Sequence, residues 1–308
     1  MLKEYTFEKI ANEWLYLKKM SVKHSTYVKY KNIIRLYLHD LFLEKSIFEY
    51  DQSYYYKCFN SLIENQNLSS STLKSIRFIL KGILTYGEEN YNMDHINFSY
   101  IKISSSKHHI TVLTKEETYQ LSQYCQSHIN DTTTAIYLSM YTGMRLGEIC
   151  GLKWENIDLD KGLITVLRTV QRIEDDINEN SKTSKMIFEP KTQSSRRTIV
   201  MTDFLIEYLQ KYQQMVNYEP TSYLITNSVD IPEPRNIQRK FKTICTHLGI
   251  DVNFHNLRHS FATNCISCGI DIKTLSELLG HSNISTTMNL YVHPTIEYKR
   301  EQINKIPK

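Results

Sequence analysis

The sequence predicts a mainly α-helical fold with a small antiparallel β-sheet, in which an N-terminal helical bundle precedes a mixed α/β domain. Only 9 glycines and 6 prolines occur among the 308 residues, less than half of the usual share of roughly 12%, which favours helices over sheet sandwiches. Apolar residues recur at helical spacing along most of the chain, and residues 162–200 change to strand-like runs. At roughly 150 residues per domain, this length suggests two domains.

The first domain is predicted over residues 1–92 as a bundle of four amphipathic helices. The expected helix starts are Thr6, Ser25, Ser53 and the run 69–72, because serine and threonine side chains accept hydrogen bonds from free N–H groups of the first turn. Apolar residues follow each start at the spacing of one helical face. Many small proteins share this pattern, so it predicts a fold without a function.

The positive charge of the chain lies in its first third. Residues 1–112 contain 15 basic and 11 acidic side chains, whereas residues 113–308 contain 22 of each. The net charge of +4 therefore comes from the first part alone. This distribution suits a polyanionic partner.

The second domain is predicted over residues 113–308, after a linker at residues 93–112 that loses helical periodicity and gathers Ser, Lys and His. Thr114 and Glu117 form a capping box at its first helix, and helical spacing continues to a break at Gly143. The strand-like runs then indicate the small antiparallel sheet, after which helical spacing returns.

Several common catalytic motifs are missing from the sequence. It contains neither GxxxxGK[ST] nor GxGxxG, which cradle nucleotide phosphates, and neither HExxH nor GxSxG. Its acidic residues form no obvious cluster that would clamp two metal ions. We therefore expect neither a cofactor nor a metal ion.

We expect a cytoplasmic protein without a membrane partner. Nowhere do 18 apolar residues run together, and the N-terminus alternates charged and apolar residues instead of forming a signal-peptide core. Six scattered cysteines indicate free thiols in a reducing compartment. Cys265 and Cys268 form a CxxC pair, for which packing in a helix is favoured over metal binding, because a structural zinc needs a second pair or two spaced histidines.

Two pairs of residues are candidates for binding an anion. His255 and Arg258 lie three residues apart at the start of a predicted helix, so an imidazole and a guanidinium can converge on one anion. Arg145 follows the break at Gly143, and Glu148 lies one turn later on the same face, where it can orient or neutralise the guanidinium. The alternatives are a solvated basic helix start and an ordinary surface ion pair.

Two further stretches contain polar residues of interest. Lys191 falls in a turn-rich stretch between two strand-like runs, where a hairpin tip could carry its ammonium into a bound substrate or leave it as an exposed loop lysine. Farther along, Gly280 is expected to end a helix just before His281, and Ser285 to cap a short helix that carries Tyr291. Composition alone does not single out one tyrosine among 22.

Taken in chain order, these residues form one pattern. Arg145 lies in TGMRLGEI, Lys191 in PKTQSSRR, His255 and Arg258 in HNLRHSFA, and His281 and Tyr291 in LLGHSNISTTMNLY, which VHPT follows. Their order and spacing resemble the tyrosine recombinase family, which includes phage integrases and Xer-type enzymes. The resemblance covers residues 113–297, and the N-terminal bundle looks like the core-type DNA-binding domain of that family.

The resemblance implies a DNA strand-exchange reaction that needs no metal or nucleotide. Tyr291 would attack a phosphodiester and leave a 3′-phosphotyrosyl link, while Lys191 would protonate the departing 5′-oxygen. Since a phenol with a pKa of about 10 holds little phenolate at neutral pH, the tyrosine needs a cationic neighbourhood or a base such as His255. The residues expected to stabilise negative charge on the phosphate are Arg145, His255, Arg258 and His281, with Glu148 in a supporting role.

The resemblance also implies partners. They are double-stranded DNA with specific core sites and a homo-tetramer in the synaptic complex at the nucleoid, with an excisionase or a host DNA-bending protein as a further candidate. The leading function is the integrase of a phage or conjugative mobile element, and an Xer-type chromosome or plasmid dimer resolvase is the close alternative. A catalytically inactive DNA-binding or architectural protein is the alternative from another class, against which the retention of all six residues argues.

Overall fold

A computed structural model of the chain describes residues 5–42, 46–64, 68–104, 111–174, 183–189 and 196–291, together with 300, 303 and 304. The chain divides into two compact units, residues 1–108 and 109–308. Each unit has a buried apolar core of its own. Helices dominate and the strands form small antiparallel sheets, which confirms the predicted fold class.

Among its described residues, the first unit contains four α-helices, as predicted. Their bounds are α1 (Phe7–Ser21), α2 (His24–Ile33), α3 (Gln52–Glu64) and α4 (Ser70–Tyr91). A π-helical turn, Ile34–Leu38, extends α2, and a 3-10 turn, Ile47–Glu49, precedes α3. Apolar side chains from all four helices meet in one core, which includes Ile10, Trp14, Ile33, Phe59, Ile76 and Leu80.

Two of the four predicted helix starts in this unit are confirmed. The Thr6 hydroxyl accepts a hydrogen bond from the backbone N–H of Lys9 at 3.2 Å. At the start of α4, the Ser69 hydroxyl accepts from the N–H of Thr72 at 3.1 Å. Each side chain therefore satisfies one of the free donors of a first helical turn.

The other two predicted starts are wrong. α2 begins before Ser25, at His24, and the backbone carbonyl of Lys23 closes its first turn without a side-chain cap. α3 begins before Ser53, at Gln52, because the carboxylate of the preceding residue, an aspartate, accepts from a backbone N–H of the first turn at 2.8 Å. Aspartate caps a helix as well as serine does.

Residues 93–104, which fall in the predicted linker 93–112, pack against the core of the first unit. They are not helical, as expected, but the side chains of Met93, Ile96, Phe98 and Ile101 are buried. The apolar residues recur every two or three positions, so an extended chain turns them repeatedly inward. Residues 105–110 lie outside the described part of the chain.

The second unit contains eight α-helices within its described residues. They are α5 (Lys115–Ser127), α6 (Asp131–Thr142), α7 (Leu146–Cys150), α8 (Asp203–Gln214), α9 (Pro234–His247), α10 (Phe254–Ser267), α11 (Ile272–Leu279) and α12 (Ile284–Tyr291). The predicted capping box is present, since Thr114 and Glu117 exchange hydrogen bonds of 2.7 and 3.1 Å. α6 is buried along nearly its whole length and packs against α5, α8, α9 and α10, so it fixes the position of the corner that follows it.

The end of α11 agrees with the prediction, whereas the start of α12 does not. Gly280 ends α11 in the left-handed conformation, with φ of 65°, as predicted. The cap predicted at Ser285 is wrong, because the Asn283 side chain accepts from the N–H of Ser285 at 2.8 Å and α12 begins at Ile284. Asparagine is again a cap as good as serine.

Where the structure describes them, the strand-like runs form two antiparallel sheets rather than one. In the first sheet, β2 (Leu163–Val166) lies between β1 (Ile157–Asp158) and β5 (Arg197–Val200). In the second, β3 (Thr169–Glu174) pairs with β4 (Thr183–Phe188). β2 and β5 pair because their apolar faces enter the core together, with Ile164 opposite Ile199.

Lys191, for which a hairpin tip or an exposed loop was expected, lies outside the described residues, so its setting stays a prediction. The described strands on either side of it, β4 and β5, belong to different sheets. None of the helices in the described ranges is long and apolar enough to cross a membrane.

Candidate active site

Arg145 lies at the corner between α6 and α7. The corner requires Gly143, whose φ of 66° ends α6 in the left-handed region and whose position leaves no room for a Cβ, which would lie 2.5 Å from a ring carbon of Phe261. Arg145 itself is the N-cap residue of α7, with an extended backbone. Its side chain is 39% exposed, so the guanidinium reaches the surface of the unit.

The predicted contact between Arg145 and Glu148 is present. Glu148 Oε2 accepts from the backbone N–H of Arg145, and Oε1 accepts from its Nη1, both at 2.9 Å. Burial of the carboxyl group raises its pKa, but the hydrogen bond and charge of Arg197 and the charge of Arg145 outweigh burial and lower the pKa to about 2. Glu148 is therefore an anion at neutral pH.

Arg197, the first residue of β5, is a member of the site that the sequence analysis missed. Its Nη1 and Nη2 donate to Glu148 Oε1 and Oε2 at 3.2 and 2.9 Å, and its Nε donates to the Leu278 carbonyl at 2.7 Å. The side chain is only 6% exposed. Gly280 leaves the space for it, since a Cβ there would lie 2.9 Å from Arg197 Nη1. The one signal in the sequence was that Arg197 directly precedes a short apolar run. A basic residue in such a place is usually exposed to solvent.

Arg258 is buried, with 2% of its surface exposed, and main-chain carbonyls hold it in place. Nη1 donates to the carbonyl of Gly143 at 2.7 Å, and Nη2 donates to that of Leu279 at 2.8 Å. Arg145 Nη1 also lies 3.5 Å from the Leu279 carbonyl. The C-terminal end of α11, which carries the negative end of the helix dipole, thus holds three guanidinium groups together, because Arg197 binds the preceding carbonyl.

His281 lies directly after the end of α11. Its Nε2 is 2.8 Å from Arg258 Nη2, and its Nδ1 is 2.8 Å from Thr287 Oγ1. Because a guanidinium can only donate, Nε2 accepts, and Nδ1 carries the proton that is donated to the threonine. Burial, followed by the positive charge of Arg258, lowers the pKa of His281 to about 4. The ring is therefore neutral at neutral pH.

His255 lies in the first turn of α10, which the Asn253 side chain caps. The predicted convergence of His255 and Arg258 is present, since both line a cavity of about 90 Å³ together with Arg145. The ring of His259 meets that of His255 edge-on, with 4.7 Å between the ring centres. Desolvation by the surrounding protein, then the charges of His259 and Arg258, lower the pKa of His255 to about 4, so its ring can accept a proton at neutral pH.

Tyr291 and Lys191 are the two predicted site residues whose side chains lie outside the described part of the chain. Tyr291 is the last residue of α12, which packs against α10 and α11. Tyr291 lies four positions after Thr287, the hydrogen-bond partner of His281. The backbone therefore brings residue 291 to the end of the helix that supports the histidine, and the roles of both side chains stay predictions.

The residues that the structure describes contain no group of three or more His, Cys, Asp or Glu side chains that could hold a metal ion. Of the CxxC pair, Cys265 is buried and Cys268 is exposed. Burial raises the pKa of the Cys265 thiol to about 11.

Relatives of known class align with nearly the whole chain. The Tyrosine recombinase XerC-like protein of Caldanaerobacter subterraneus subsp. tengcongensis is 27% identical, over 98% of this chain and 83% of the relative. The integrase of Staphylococcus phage L54a is 25% identical, over 100% of this chain and 94% of the relative. Tyrosine recombinase XerA of Thermococcus kodakarensis is 30% identical over 63% of this chain and 61% of its own length.

Solved structures share the fold. The Tn1549 transposon integrase in complex with transposon right end DNA has a TM-score of 0.78 at 20% identity, covering 97% of this chain and 99% of that one. A lambda integrase tetramer bound to a Holliday junction has a TM-score of 0.67 at 16% identity, covering 93% of this chain and 77% of that one. At such identities the likeness establishes the architecture.

Two family profiles match the sequence directly. The profile of the Phage integrase family matches residues 111–297, more than half of the chain, and that of the phage integrase N-terminal SAM-like domain matches residues 6–63. Together with the buried cluster of guanidinium groups, these matches define a site-specific recombinase that cuts and rejoins DNA strands. The chain belongs to the phage integrase family of tyrosine recombinases, which confirms the resemblance stated from its motifs.

Proposed function

We propose that this recombinase is the integrase of a phage or conjugative mobile element and that it acts through a 3′-phosphotyrosyl intermediate at specific core sites. The observation that carries the proposal is the cavity that Arg145, His255 and Arg258 line together. His281 contacts the buried guanidinium of Arg258 at the same place. Cationic and imidazole groups from two separate stretches of the chain thus line one space, and His281 joins them from a third stretch through its contact with Arg258, an arrangement that suits the reaction at a phosphodiester.

The reaction begins when Tyr291 Oη attacks the scissile phosphorus. A bond from phosphorus to the tyrosine oxygen forms, the bond to the 5′-oxygen breaks, and the five-coordinate transition state places extra negative charge on the non-bridging oxygens. Arg145 and Arg258 offer planar donor pairs that suit these oxygens. Because two main-chain carbonyls already hold Arg258, its guanidinium needs little reorganisation as the charge develops.

Two proton transfers complete the cleavage step. The phenolic proton passes to His255, which is neutral because its pKa is lowered to about 4. The bound phosphate is an anion beside this ring, so it raises the pKa of His255 and strengthens the base. Lys191 gives a proton to the leaving 5′-oxygen. The phosphotyrosyl bond keeps the energy of the broken bond, and a 5′-hydroxyl from another strand can therefore reverse the step.

Double-stranded DNA with core sites is the substrate. We assign residues 1–92 to core-site binding, residues 93–112 to the linker and residues 113–308 to catalysis; the SAM-like domain profile over residues 6–63 supports the first assignment. Contacts to phosphates dominate, so binding weakens steeply as the salt concentration rises. A homo-tetramer cuts the four strands of two duplexes at the nucleoid, and an excisionase or a host DNA-bending protein sets the direction. The lambda integrase tetramer on a Holliday junction is the structural precedent.

An Xer-type resolvase of chromosome or plasmid dimers is the second candidate. The XerC-like relative, which aligns with 98% of this chain, favours it, whereas the phage L54a integrase, which aligns with 100%, favours the mobile element. A resolvase joins two copies of one site, and an integrase joins the ends of an element to a different target. Sequencing the recombination products formed from a selected site separates the two functions.

The experiment that tests the chemistry uses a DNA duplex selected from a randomised library by its binding to the wild-type protein. A nick beside the cleavage position lets the short 5′-hydroxyl fragment diffuse away, so a covalent complex accumulates. We expect wild-type protein to form an adduct that resists SDS. Tyr291→Phe should shift the same duplex in a native gel and form no adduct, because it lacks the attacking oxygen.

The matched control is Tyr298→Phe, the same change at a tyrosine outside the family motif. This variant should form the adduct at the wild-type rate. An adduct formed by Tyr291→Phe would contradict the assignment of the nucleophile. A wild-type protein that binds the selected duplex and never forms an adduct would instead support an inactive DNA-binding or architectural protein.

A further inference from the structure

Arg197 is not among the six residues that match the family motifs, yet it contacts the centre of the site. Its two Nη atoms donate to both carboxylate oxygens of Glu148, at 3.2 and 2.9 Å, and its Nε donates to the Leu278 carbonyl at 2.7 Å. Its side chain is only 6% exposed. Arg258 is just as enclosed, but it lines the cavity together with Arg145 and His255, whereas Arg197 is not among the lining residues of that cavity. Because Nε and both Nη atoms of Arg197 already bind protein acceptors, this side chain acts through its protein neighbours rather than on DNA.

The charges of three side chains explain what Arg197 does. A single carboxylate 2.9 Å from Arg145 Nη1 cancels much of the field that this guanidinium exerts on a phosphate. Glu148 Oε1, however, also accepts from Arg197, so the negative charge of Glu148 is shared between two guanidinium groups. The group of three then carries a net positive charge, and the exposed arginine keeps its attraction for an anion.

The hydrogen bonds also fix orientation. Glu148 receives four of them: two from Arg145, through its backbone N–H and Nη1, and two from Arg197. The carboxylate plane is thereby fixed, and with it the direction of the exposed Arg145 side chain. Arg197 in turn binds the carbonyl of Leu278, the residue before Leu279, whose carbonyl accepts from Arg258. The two arginines that face the phosphate are therefore linked through one buried network.

We infer that Arg197 is a positioning residue for strand cleavage, which holds and neutralises Glu148 so that the positive charge of Arg145 remains available to the scissile phosphate. The inference rests on the proposed function, because it takes Arg145 to contact the phosphate. It adds a residue that acts without touching the DNA. The inference predicts that the Glu148 carboxylate lowers the rate of strand cleavage once Arg197 is removed.

The test measures the single-turnover rate of adduct formation on the nicked selected duplex, at saturating DNA. Arg197→Met removes the charge and keeps a chain of similar length; we expect a rate about 10²-fold lower, because Arg145 is neutralised and misplaced. Adding Glu148→Gln to this variant should raise the rate about tenfold, as expected for directly coupled residues. In the wild-type background, Glu148→Gln should lower the rate. A merely structural role predicts losses in both backgrounds.

The matched control is Arg172→Met, which removes another partly buried arginine–glutamate pair, with Glu233, in the same unit. Its folded protein should cleave at the wild-type rate. Arg197→Lys keeps the charge and should recover most of the rate. Two results would overturn the inference. One is an Arg197→Lys variant that circular dichroism shows to be folded but whose rate is about 10²-fold below that of the wild type. The other is that adding Glu148→Gln does not accelerate the Arg197→Met variant. If Arg197→Met does not fold, Arg197→Lys alone decides.

Failure of the proposed function gives a different result. In that case the wild-type protein forms no adduct, or the Tyr291→Phe variant still forms one. Neither result involves a change at Arg197. A wild-type adduct that depends on Tyr291, together with no rescue by Glu148→Gln, would count against the role of Arg197 alone.

Discussion

The Nη2 atom of Arg258 lies 2.8 Å from Nε2 of His281, and this contact determines which ring nitrogen of the histidine carries its proton. The guanidinium cannot accept a hydrogen bond, so the proton is on Nδ1, where Thr287 accepts it. The free protein therefore turns the lone pair of His281 toward Arg258. At neutral pH, an anion that enters the site would raise the pKa of His281 and so favour a second proton on the ring.

Thr287 should matter for both stability and cleavage. It is fully buried, and Thr287→Val keeps the shape of the side chain but leaves the Nδ1–H of His281 without an acceptor. We expect a loss of about 1–3 kcal/mol in the free energy of unfolding, measured with urea, and slower adduct formation. Thr286→Val, at the exposed neighbouring position, is the control and should leave stability unchanged within about 0.5 kcal/mol. Equal stability of the two variants would argue against the assigned proton position.

The free energy of unfolding should decrease as the pH is lowered, because of the two site histidines. Burial is the largest cause that lowers the pKa of His255 and His281 from 6.5 to about 4 in the folded protein. Below pH 6.5 the unfolded chain takes up protons that the folded chain does not. Their contribution is therefore fully present above about pH 6.5 and is lost as the pH falls toward 4. Urea unfolding should show that the free energy of unfolding declines less steeply with falling pH in the double variant His255→Gln/His281→Gln than in the wild type. An equally steep decline would show that other groups cause the effect.

Gly280 should be sensitive for two separate reasons. Gly280→Ala forces an alanine into the left-handed region at φ of 65° and places its Cβ 2.9 Å from Arg197 Nη1. Gly249 has φ of 72° with nothing within 4 Å of its Cβ position, so Gly249→Ala incurs the backbone cost alone. Thermal unfolding should show a loss of about 1–2 kcal/mol for Gly249→Ala and a larger one for Gly280→Ala. Adduct formation should slow in Gly280→Ala alone, and a normal rate there would show that Arg197 tolerates displacement.

The six cysteines should differ in reactivity. All six lie in the described ranges; five are buried, and Cys268 is exposed. Ellman's reagent should therefore modify one thiol rapidly in the native protein, and Cys268→Ser should abolish that phase. The rate should be the same with and without EDTA. A faster reaction after EDTA would instead indicate that the CxxC pair holds a metal.

The predictions from sequence succeeded where the interaction is local. The pairing of Arg145 with Glu148 follows from a spacing of three residues, and the Thr6 and Ser69 caps follow from side chains that reach the first turn. The caps predicted at Ser25, Ser53 and Ser285 failed by one or two residues, because other groups of the adjacent chain close those turns. Several neighbouring residues can provide equivalent caps.

The parts that sequence could not predict depend on contacts between distant segments. Arg197 lies 49 positions from Glu148 and 81 from Leu278, and nothing in its neighbours along the chain shows that it is buried. The same holds for the pairing of β5 with β2, which joins segments more than 30 residues apart in the chain. Only the packing of α7, α11 and β5 in three dimensions brings these groups together.

The C-terminal end of α11 determines when in synthesis the arginine cluster can assemble. Arg197 and Arg258 are anchored on two successive carbonyls of one helix end, and Arg145 reaches the second of them. A chain still emerging from the ribosome, or one cut short before residue 272, lacks the anchor on which these groups assemble. An enzyme that cuts and rejoins DNA strands thus cannot assemble this cluster of arginines until its synthesis has passed α11.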